Sequence, residues 1–161
     1  MRTRYICHLS YKHRFTYRKG IEMKICGIEI KGSEAIIAVA SLDGQTLSHV
    51  ALATKKIALD DDDEAANVKV FAAQVASFVR ENSIDRIAIK KRSKKGEFAG
   101  GPTTFKIEGV FQLLESCEVT LLSPQTINAQ NKKFDFALPE TLNKYQHEAF
   151  KAACSMLMKS R

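Results

Sequence analysis

The segment KICGIEIK, residues 24–31, decides the fold. Its three isoleucines and Cys26 are apolar, and β-branched residues of this kind favour a buried strand. Glu29 stands among them, and a carboxylate in an apolar strand is costly unless it is paired or bound to a metal ion. The segment therefore predicts a core strand that carries a functional or once-functional acid. A strand-end salt bridge from Glu29 to Lys31 or Lys90 is the alternative.

Outward from this strand, the chain alternates between short apolar runs and helical periodicity. A second strand over 35–41 and a third over 46–54 flank the turn sequence Asp43-Gly44, which predicts an antiparallel meander. Helices are predicted over 65–81, 103–116 and 139–158, further strands over 85–91 and 119–122, and irregular structure over 123–136. The order β-β-β-α-β-α-β-α predicts an α/β fold with a mixed five-stranded sheet and helices on its faces.

Five consecutive acids precede the first predicted helix, at residues 60–64. Their spacing fits no calcium-binding loop. Acidic side chains favour a helix N-terminus through capping and through the helix dipole. We therefore expect these acids to cap the helix.

Length and composition are those of one globular domain. The chain has 161 residues, 45% of them hydrophobic, and no apolar run near the roughly 18 residues that span a bilayer. The four cysteines show no C-x-x-C spacing and no zinc-site pattern with the four histidines. Cysteines of this kind indicate a reducing compartment, so we expect a cytoplasmic protein with no membrane partner.

The net charge of +7 is concentrated at the N-terminus. Of 25 basic and 18 acidic residues, six basic and one acidic lie in residues 1–22, so the remainder carries only +2. We interpret residues 1–22 as a basic leader upstream of a natural start at Met23, with the domain over 23–161. A disordered functional arm and a transit peptide are the alternatives.

A basic, glycine-rich loop follows the predicted strand 85–91. Five cations lie in six positions, followed by Gly96, Gly100 and Gly101; the cations are Lys90, Lys91, Arg92, Lys94 and Lys95. Such a run next to a helix N-terminus favours phosphate, and Thr103 or Thr104 would cap that helix or touch the phosphate. Lys132 and Lys133, beside Phe134 and Phe136, would add a stacking element. A solvated loop is the alternative.

These elements together resemble the RNase H-like fold, and within it the RuvC-type Holliday-junction resolvases. The similarity lies in the opening strand, the fourth and fifth strands and the last two helices: Ile25-Cys26-Gly27-Ile28-Glu29, Ile87-Ala88-Ile89-Lys90, Phe105-Lys106-Ile107-Glu108-Gly109-Val110, Leu121-Leu122-Ser123-Pro124 and Glu148-Ala149-Phe150-Lys151-Ala152-Ala153. The resemblance implies close packing of Gly109 on the sheet. From Met23 onward, the chain also resembles an uncharacterised bacterial family of RuvC-like proteins classed as a domain of unknown function.

The resemblance assigns a degenerate site to Glu29, Lys90 and Glu148. In RuvC-type enzymes the first strand supplies an acidic metal ligand, the fourth strand ends in a catalytic glutamate and the last helix carries further acids. Here Glu replaces Asp at Glu29, Lys90 replaces the glutamate, and Tyr145 replaces one helix acid. Because magnesium requires oxygen ligands, Lys90 argues against an efficient nuclease.

Three functions follow from these residues. The first is a nucleic-acid-binding protein with a degenerate metal site in which Lys90 replaces the ion. The second is an active magnesium- or manganese-dependent endonuclease on structured DNA or RNA, with Glu29 and Glu148 as ligands and Glu97 or Glu108 as a replacement acid. The third is a protein-interaction domain in which the acids and Lys90 form only an ion network. The resemblance also implies a homodimer.

Overall fold

The computed structural model describes residues 22–159, which form a six-stranded sheet with helices on both faces. The predictions for residues 1–21 lie outside this range. The strands are β1 (Met23–Lys31), β2 (Glu34–Asp43), β3 (Thr46–Val50), β4 (Lys56–Ala58), β5 (Arg86–Lys90) and β6 (Glu118–Leu122). The helices are α1 (Ala65–Glu81), α2 (Pro102–Gln112), α3 (Pro124–Phe134) and α4 (His147–Lys159), and a 3-10 turn, Lys144–Gln146, precedes α4. No helix in this range is both long and apolar enough to cross a membrane.

The mixed sheet predicted from the sequence is confirmed, with one strand more than expected. The strand order is β3-β2-β1-β5-β6, with β1 antiparallel to β2 and parallel to β5, and β5 parallel to β6. The predicted third strand does not run on to residue 54. It ends at Val50, and the chain returns to β2 as β4, where the Ile37 amide donates to the Lys55 carbonyl over 2.8 Å. In place of one strand over 46–54, two short strands, β3 and β4, therefore pair with β2.

The helix α1 has the predicted bounds, but its capping differs from the prediction. Phe71, Val75, Phe78 and Val79 are buried along one face, as their spacing predicts. The N-cap is Glu64, which makes no side-chain cap hydrogen bond, and no acid lies in the first turn. The acids of residues 60–64 are thus ahead of the helix. One of them, Asp62, forms an ion pair of 3.0 Å with Lys106 on α2 instead.

The C-terminal third departs most from the prediction. The segment predicted to be irregular contains α3, with the Ser123 side chain accepting a hydrogen bond from the Thr126 amide. The last helix begins at His147 rather than near residue 139. An Asn143–Gln146 capping box and a bond of 2.7 Å from Gln146 Nε2 to the Ile37 carbonyl fix the chain before α4. Tyr145, which falls within the helix predicted over 139–158, lies instead in the 3-10 turn and is 44% exposed.

Close packing of α4 on β1 occurs at a different glycine from the one expected. A Cβ at Gly27 would overlap the Ala149 carbonyl and lie 2.8 Å from the Ala153 amide nitrogen. The position of Gly109 has no atom within 4 Å of an added Cβ, so its predicted close packing on the sheet is wrong. Because Gly27 lacks a side chain, α4 sits directly on β1 and brings its first turn to the carboxyl end of the sheet.

Candidate functional site

Glu29 is a buried acid near the carboxyl end of β1. Its neighbours Ile28 and Ile30 pack into the core on the α1–α2 side of the sheet. Strand alternation therefore directs Glu29 to the other side, towards α4. The residue is 3% exposed, and its Oε2 atom is buried without a hydrogen-bond partner in the part of the chain that the structure describes. A buried carboxylate of this kind needs a nearby positive charge.

Lys90 supplies that charge from the end of the parallel neighbour β5. Its Nζ lies 3.6 Å from Glu29 Oε1 and donates to Glu148 Oε2 over 2.8 Å. The Lys90 side chain is 18% exposed, so the ammonium is largely removed from water. The three residues predicted to meet are therefore adjacent, with the cation between two carboxylates.

Two further lysines extend this arrangement into an alternating ion cluster. Lys31 Nζ lies 3.4 Å from Glu29 Oε2, and Lys151 Nζ donates to Glu148 Oε1 over 3.0 Å. Glu148 therefore pairs with Lys90 from β5 and with Lys151, three residues further along its own helix. Burial raises the pKa of Glu148, but hydrogen bonds from Lys90 and Lys151 more than offset this and leave the pKa below its ordinary value. We call Lys31, Glu29, Lys90, Glu148 and Lys151 the ion cluster.

The ion cluster does not have the donor set of a magnesium or manganese site. Such ions require several oxygen ligands, and here the centre between the two carboxylates is taken by an ammonium group. Across residues 22–159, no three acidic, histidine or cysteine side chains converge in a way that would hold a metal. With three ammonium groups on two carboxylates, the cluster carries a net charge of +1.

The two acids considered as replacements lie elsewhere. Glu97 is exposed in the basic loop. Glu108 is buried on α2, and its charged neighbours are Lys94 and Lys91. Burial raises the pKa of Glu108, and these two lysines oppose the shift. Neither acid joins Glu29 and Glu148.

The basic loop, residues 91–101 between β5 and α2, lies beside the N-terminus of α3. Its start is held to β6 by a bond of 2.8 Å from the Lys91 amide to the Leu122 carbonyl. The cations and the first residues of α3 line an open cleft of about 450 Å³; the basic side chains in this lining are Lys91, Arg92, Lys94 and Lys95. None of the four forms an ion pair within 4.0 Å with any described residue.

The threonines and the second basic pair occupy different environments. The N-cap of α2 is Gly101, so neither Thr103 nor Thr104 caps this helix. Thr104 is buried, with 3% of its surface exposed. Lys106 lowers the pKa of Asp62, and a side-chain hydrogen bond from Thr103 adds to this effect. At the end of α3, where Lys132 and Lys133 lie in the last turn, Lys133 Nζ is 5.1 Å from the Phe134 ring centre. Phe134 stacks on the buried Phe136 at 6.3 Å.

Phe98 is 84% exposed in the basic loop and was not among the residues predicted to bind a ligand. An aromatic residue four positions after Lys94, in a loop rich in cations and glycine, was the available signal. The salt bridge from Lys31 to Glu29 is the predicted alternative and is present, whereas the pairing of Lys151 with Glu148 was indicated by their spacing of three residues on one helix. Strand neighbours two residues apart and helix neighbours three apart share a side of their element.

Comparison with solved structures identifies the fold. RuvC from Thermus thermophilus matches with a TM-score of 0.67 and 13% sequence identity, covering 86% of this chain and 96% of that chain. The complex of T. thermophilus RuvC with a Holliday junction substrate matches with a TM-score of 0.65 and 15% identity, over the same shares of each chain. Identities this low establish the fold alone, and it is RNase H-like. No curated protein matches the chain by sequence.

A family model extends over nearly all of the sheet and helices just described. It carries the description "Protein of unknown function (DUF3010)" and matches residues 23–156, which include the ion cluster and the basic loop. The chain belongs to the DUF3010 family, whose fold here is RNase H-like and RuvC-like.

Proposed function

We propose that this protein binds nucleic acid through its basic loop and has a degenerate metal site in which Lys90 replaces the ion. The observation that carries the proposal is the combination of four cations without ion-pair partners among the described residues and one exposed aromatic ring in the same loop. Cations neutralise phosphates, and an exposed ring stacks on an unpaired base. The ligand favoured by this pair of features is a strand with accessible bases.

The charges of the loop support phosphate rather than protein as the ligand. An unpaired lysine on a protein surface is ordinary, but four cations around one cleft repel one another and attract polyanions. The N-terminal end of α3 borders the same cleft and adds a partial positive charge through the helix dipole. Ser123, whose hydroxyl caps this helix, is also a lining residue of the cleft.

The ion cluster supports a binding role without metal-dependent cleavage. A two-metal mechanism needs bridging carboxylates, and Lys90 takes that place between Glu29 and Glu148. Its ammonium supplies the positive charge that the buried Glu29 carboxylate needs, so this carboxylate is stabilised without a metal ion. The cluster therefore serves to hold β1, β5 and α4 together at the base of the loop.

Binding is tested with the full chain and a fluorescent single strand, by anisotropy over a range of salt concentrations. In the double variant Lys94→Gln/Lys95→Gln, affinity falls. The slope of log K against log salt becomes less negative by about 1.4, the value expected for two lost phosphate contacts. The matched control is Lys69→Gln/Lys159→Gln, which removes the same charge from exposed positions on α1 and α4. Equal losses in the two variants would show that net charge, and not the loop, governs binding.

The stacking role of Phe98 has its own variants. Phe98→Ala lowers affinity for the single strand roughly tenfold, because base stacking is worth about 1–3 kcal/mol per base. Phe98→Tyr keeps the ring and retains affinity. If the alanine variant binds as tightly as the tyrosine variant, the aromatic contact is absent.

Cleavage is the outcome that would contradict the degenerate site. The full chain is incubated with manganese and labelled Holliday junction, flap, single-stranded DNA, RNA–DNA hybrid and structured RNA, with Glu29→Gln as the matched control. We expect no cleavage of any substrate. Cleavage that is lost in Glu29→Gln would make the protein a nuclease despite Lys90. If the protein shows no cleavage and no salt-sensitive binding, the result would favour a protein-interaction domain.

A further inference from the structure

Glu108 is the buried acid that the proposed binding site leaves unexplained. It lies on α2, is 6% exposed and has an Oε2 atom buried without a hydrogen-bond partner among the described residues. Most buried carboxylates are hydrogen-bonded or paired, because burial of an isolated charge is costly. Glu108 lacks such a contact among the described residues, although the loop near it is rich in cations. The charged groups that interact with Glu108 therefore do so without a fixed hydrogen bond.

The loop supplies the positive charges that face Glu108. Lys94 and Lys91 both act on it electrostatically, yet neither comes within 4.0 Å. The stem of Arg92 packs against Gly100 next to Thr104, the residue one turn before Glu108 on α2. Arg92 Nε is also buried without a hydrogen-bond partner in the described range. Glu108 Oε2 is thus an acceptor without a hydrogen-bond partner among the described residues, and Arg92 Nε is a donor without one. The nearby loop also contributes the charges of Lys91 and Lys94.

Among the described residues, no charged side chain of the other elements packed on α2 forms an ion pair with Glu108. The main elements in contact with α2 are α1, β1 and β6. Of the charged residues of β1, Glu29 and Lys31 belong to the ion cluster on the opposite side of the sheet, and Lys24 lies near the beginning of the strand. Glu118 of β6 pairs with Arg86. Lys69 of α1 lines a groove with Val110 and Leu113, towards the other end of α2. The loop cations are therefore the charges that respond to Glu108.

We propose that Glu108 is the resident counter-ion of the basic loop and competes with nucleic-acid phosphate for Lys91 and Lys94, an inference that rests on the proposed function. In the free protein, the carboxylate attracts the two lysines towards α2 and lowers the positive potential of the cleft. When phosphates bind, they draw the lysines outward. Glu108 then loses its stabilising charges in a buried position and takes up a proton from solvent.

The consequence is a binding affinity that depends on pH. Since the bound state holds Glu108 in its protonated form more readily than the free state, binding is accompanied by proton uptake. Affinity therefore rises as pH falls from neutral to mildly acidic values. Removal of the carboxylate abolishes this dependence and fixes the loop in its high-affinity state.

The test compares wild type, Glu108→Gln and Glu115→Gln, which removes the same charge from an exposed position just beyond α2. Anisotropy with the fluorescent single strand is measured at neutral and mildly acidic pH and at constant salt. We expect Glu108→Gln to bind roughly three- to tenfold more tightly than wild type at neutral pH, with a flattened pH dependence, as expected for loss of one partly screened charge. Glu115→Gln should follow wild type. A Glu108→Gln variant that binds like wild type and keeps the pH dependence overturns the inference.

A second measurement requires no nucleic acid and separates the two proposals. The side-chain carboxyl of Glu108 is titrated by NMR in wild type and in Lys91→Met/Lys94→Met. Loss of both cations raises the Glu108 pKa if these lysines are its counter-charges, and an unchanged pKa refutes the pairing even where binding is normal. If the pKa rises but neither wild type nor Glu108→Gln binds the strand, the counter-ion role stands, and the proposed function and the competition with phosphate fail.

Discussion

The Lys90 ammonium donates to Glu148 Oε2 over 2.8 Å, across 58 residues of sequence and between a strand end and the first turn of a helix. The same nitrogen lies 3.6 Å from Oε1 of the buried Glu29. One side chain therefore neutralises an acid from β1 and an acid from α4. At the carboxyl end of the sheet, the two acids are therefore stabilised by a side chain of the protein itself.

Replacement of Lys90 by methionine should destabilise the fold. Lys90→Met keeps most of the side-chain volume but leaves the nearly buried Glu29 with only the more exposed Lys31. Breaking a largely buried pair by removing one partner is strongly unfavourable, so we expect a loss of about 2–4 kcal/mol in the free energy of unfolding. Chemical denaturation at neutral pH measures it.

Lys151→Met is the matched control for this change. It removes the second lysine of Glu148, whose carboxylate then still accepts from Lys90. We expect a loss below about 1 kcal/mol, as for an ordinary helix-surface pair. If the two variants are equally stable, the position of Lys90 between the acids has no special energetic role.

Restoration of a third carboxylate should create metal dependence. In Lys90→Glu, three glutamates would meet where an ammonium now separates two, and hard oxygen ligands of this kind suit manganese and magnesium. We expect the variant to be less stable than wild type without metal. It should gain about 2.7 kcal/mol when free manganese reaches about 100 times Kd. Thermal unfolding with and without manganese measures this gain.

Lys90→Gln is the control for the metal experiment, because it removes the ammonium without adding a ligand charge. Its melting temperature should not respond to manganese. If manganese stabilises wild type as much as it stabilises Lys90→Glu, the result would contradict our view that Lys90 replaces the ion.

Two glycines should respond to alanine in opposite directions. Gly27→Ala places a methyl group against the backbone of Ala149 and Ala153, which cannot move without displacing α4 from β1. We expect a loss of about 3 kcal/mol or more, together with loss of the Lys90–Glu148 contact. Gly109→Ala, in open space within α2, should gain about 0.5–1 kcal/mol through helix propensity. Thermal unfolding of both variants tests the assignment, and a destabilised Gly109→Ala would contradict it.

Acid should weaken the ion cluster through Glu148. Because the folded-state pKa of Glu148 lies below its ordinary value of 4.5, its contribution to stability is fully present above that value. The contribution is lost as pH falls through the lowered pKa. Glu148→Gln should therefore be less stable than wild type at neutral pH and approach it in acid. Urea midpoints across this range provide the measurement, and parallel curves for the two proteins would exclude the effect.

Local sequence patterns predicted most of the framework for a physical reason. The apolar period of α1 and the β-branched runs of β1 and β5 are properties of neighbouring residues, and neighbouring residues decide which face of an element is buried. The helix α3 was missed although Ser123 and Pro124 are the N-cap and first-position residues that favour a helix start. Its polar sequence buries only Ile127, so the apolar period that identifies a helix was absent.

The sequence by itself determined the order of the main strands and helices, apart from β4 and α3. The family resemblance carried by the sequence added the prediction that Glu29, Lys90 and Glu148 form one site. Tertiary structure alone decided the distances of the Lys90 ammonium from the two acids, the close packing of α4 at Gly27 instead of at Gly109, and the burial of Glu108 on α2. These features depend on distances between side chains far apart in sequence. Such distances are fixed only when sheet pairing and helix packing bring the separate elements together.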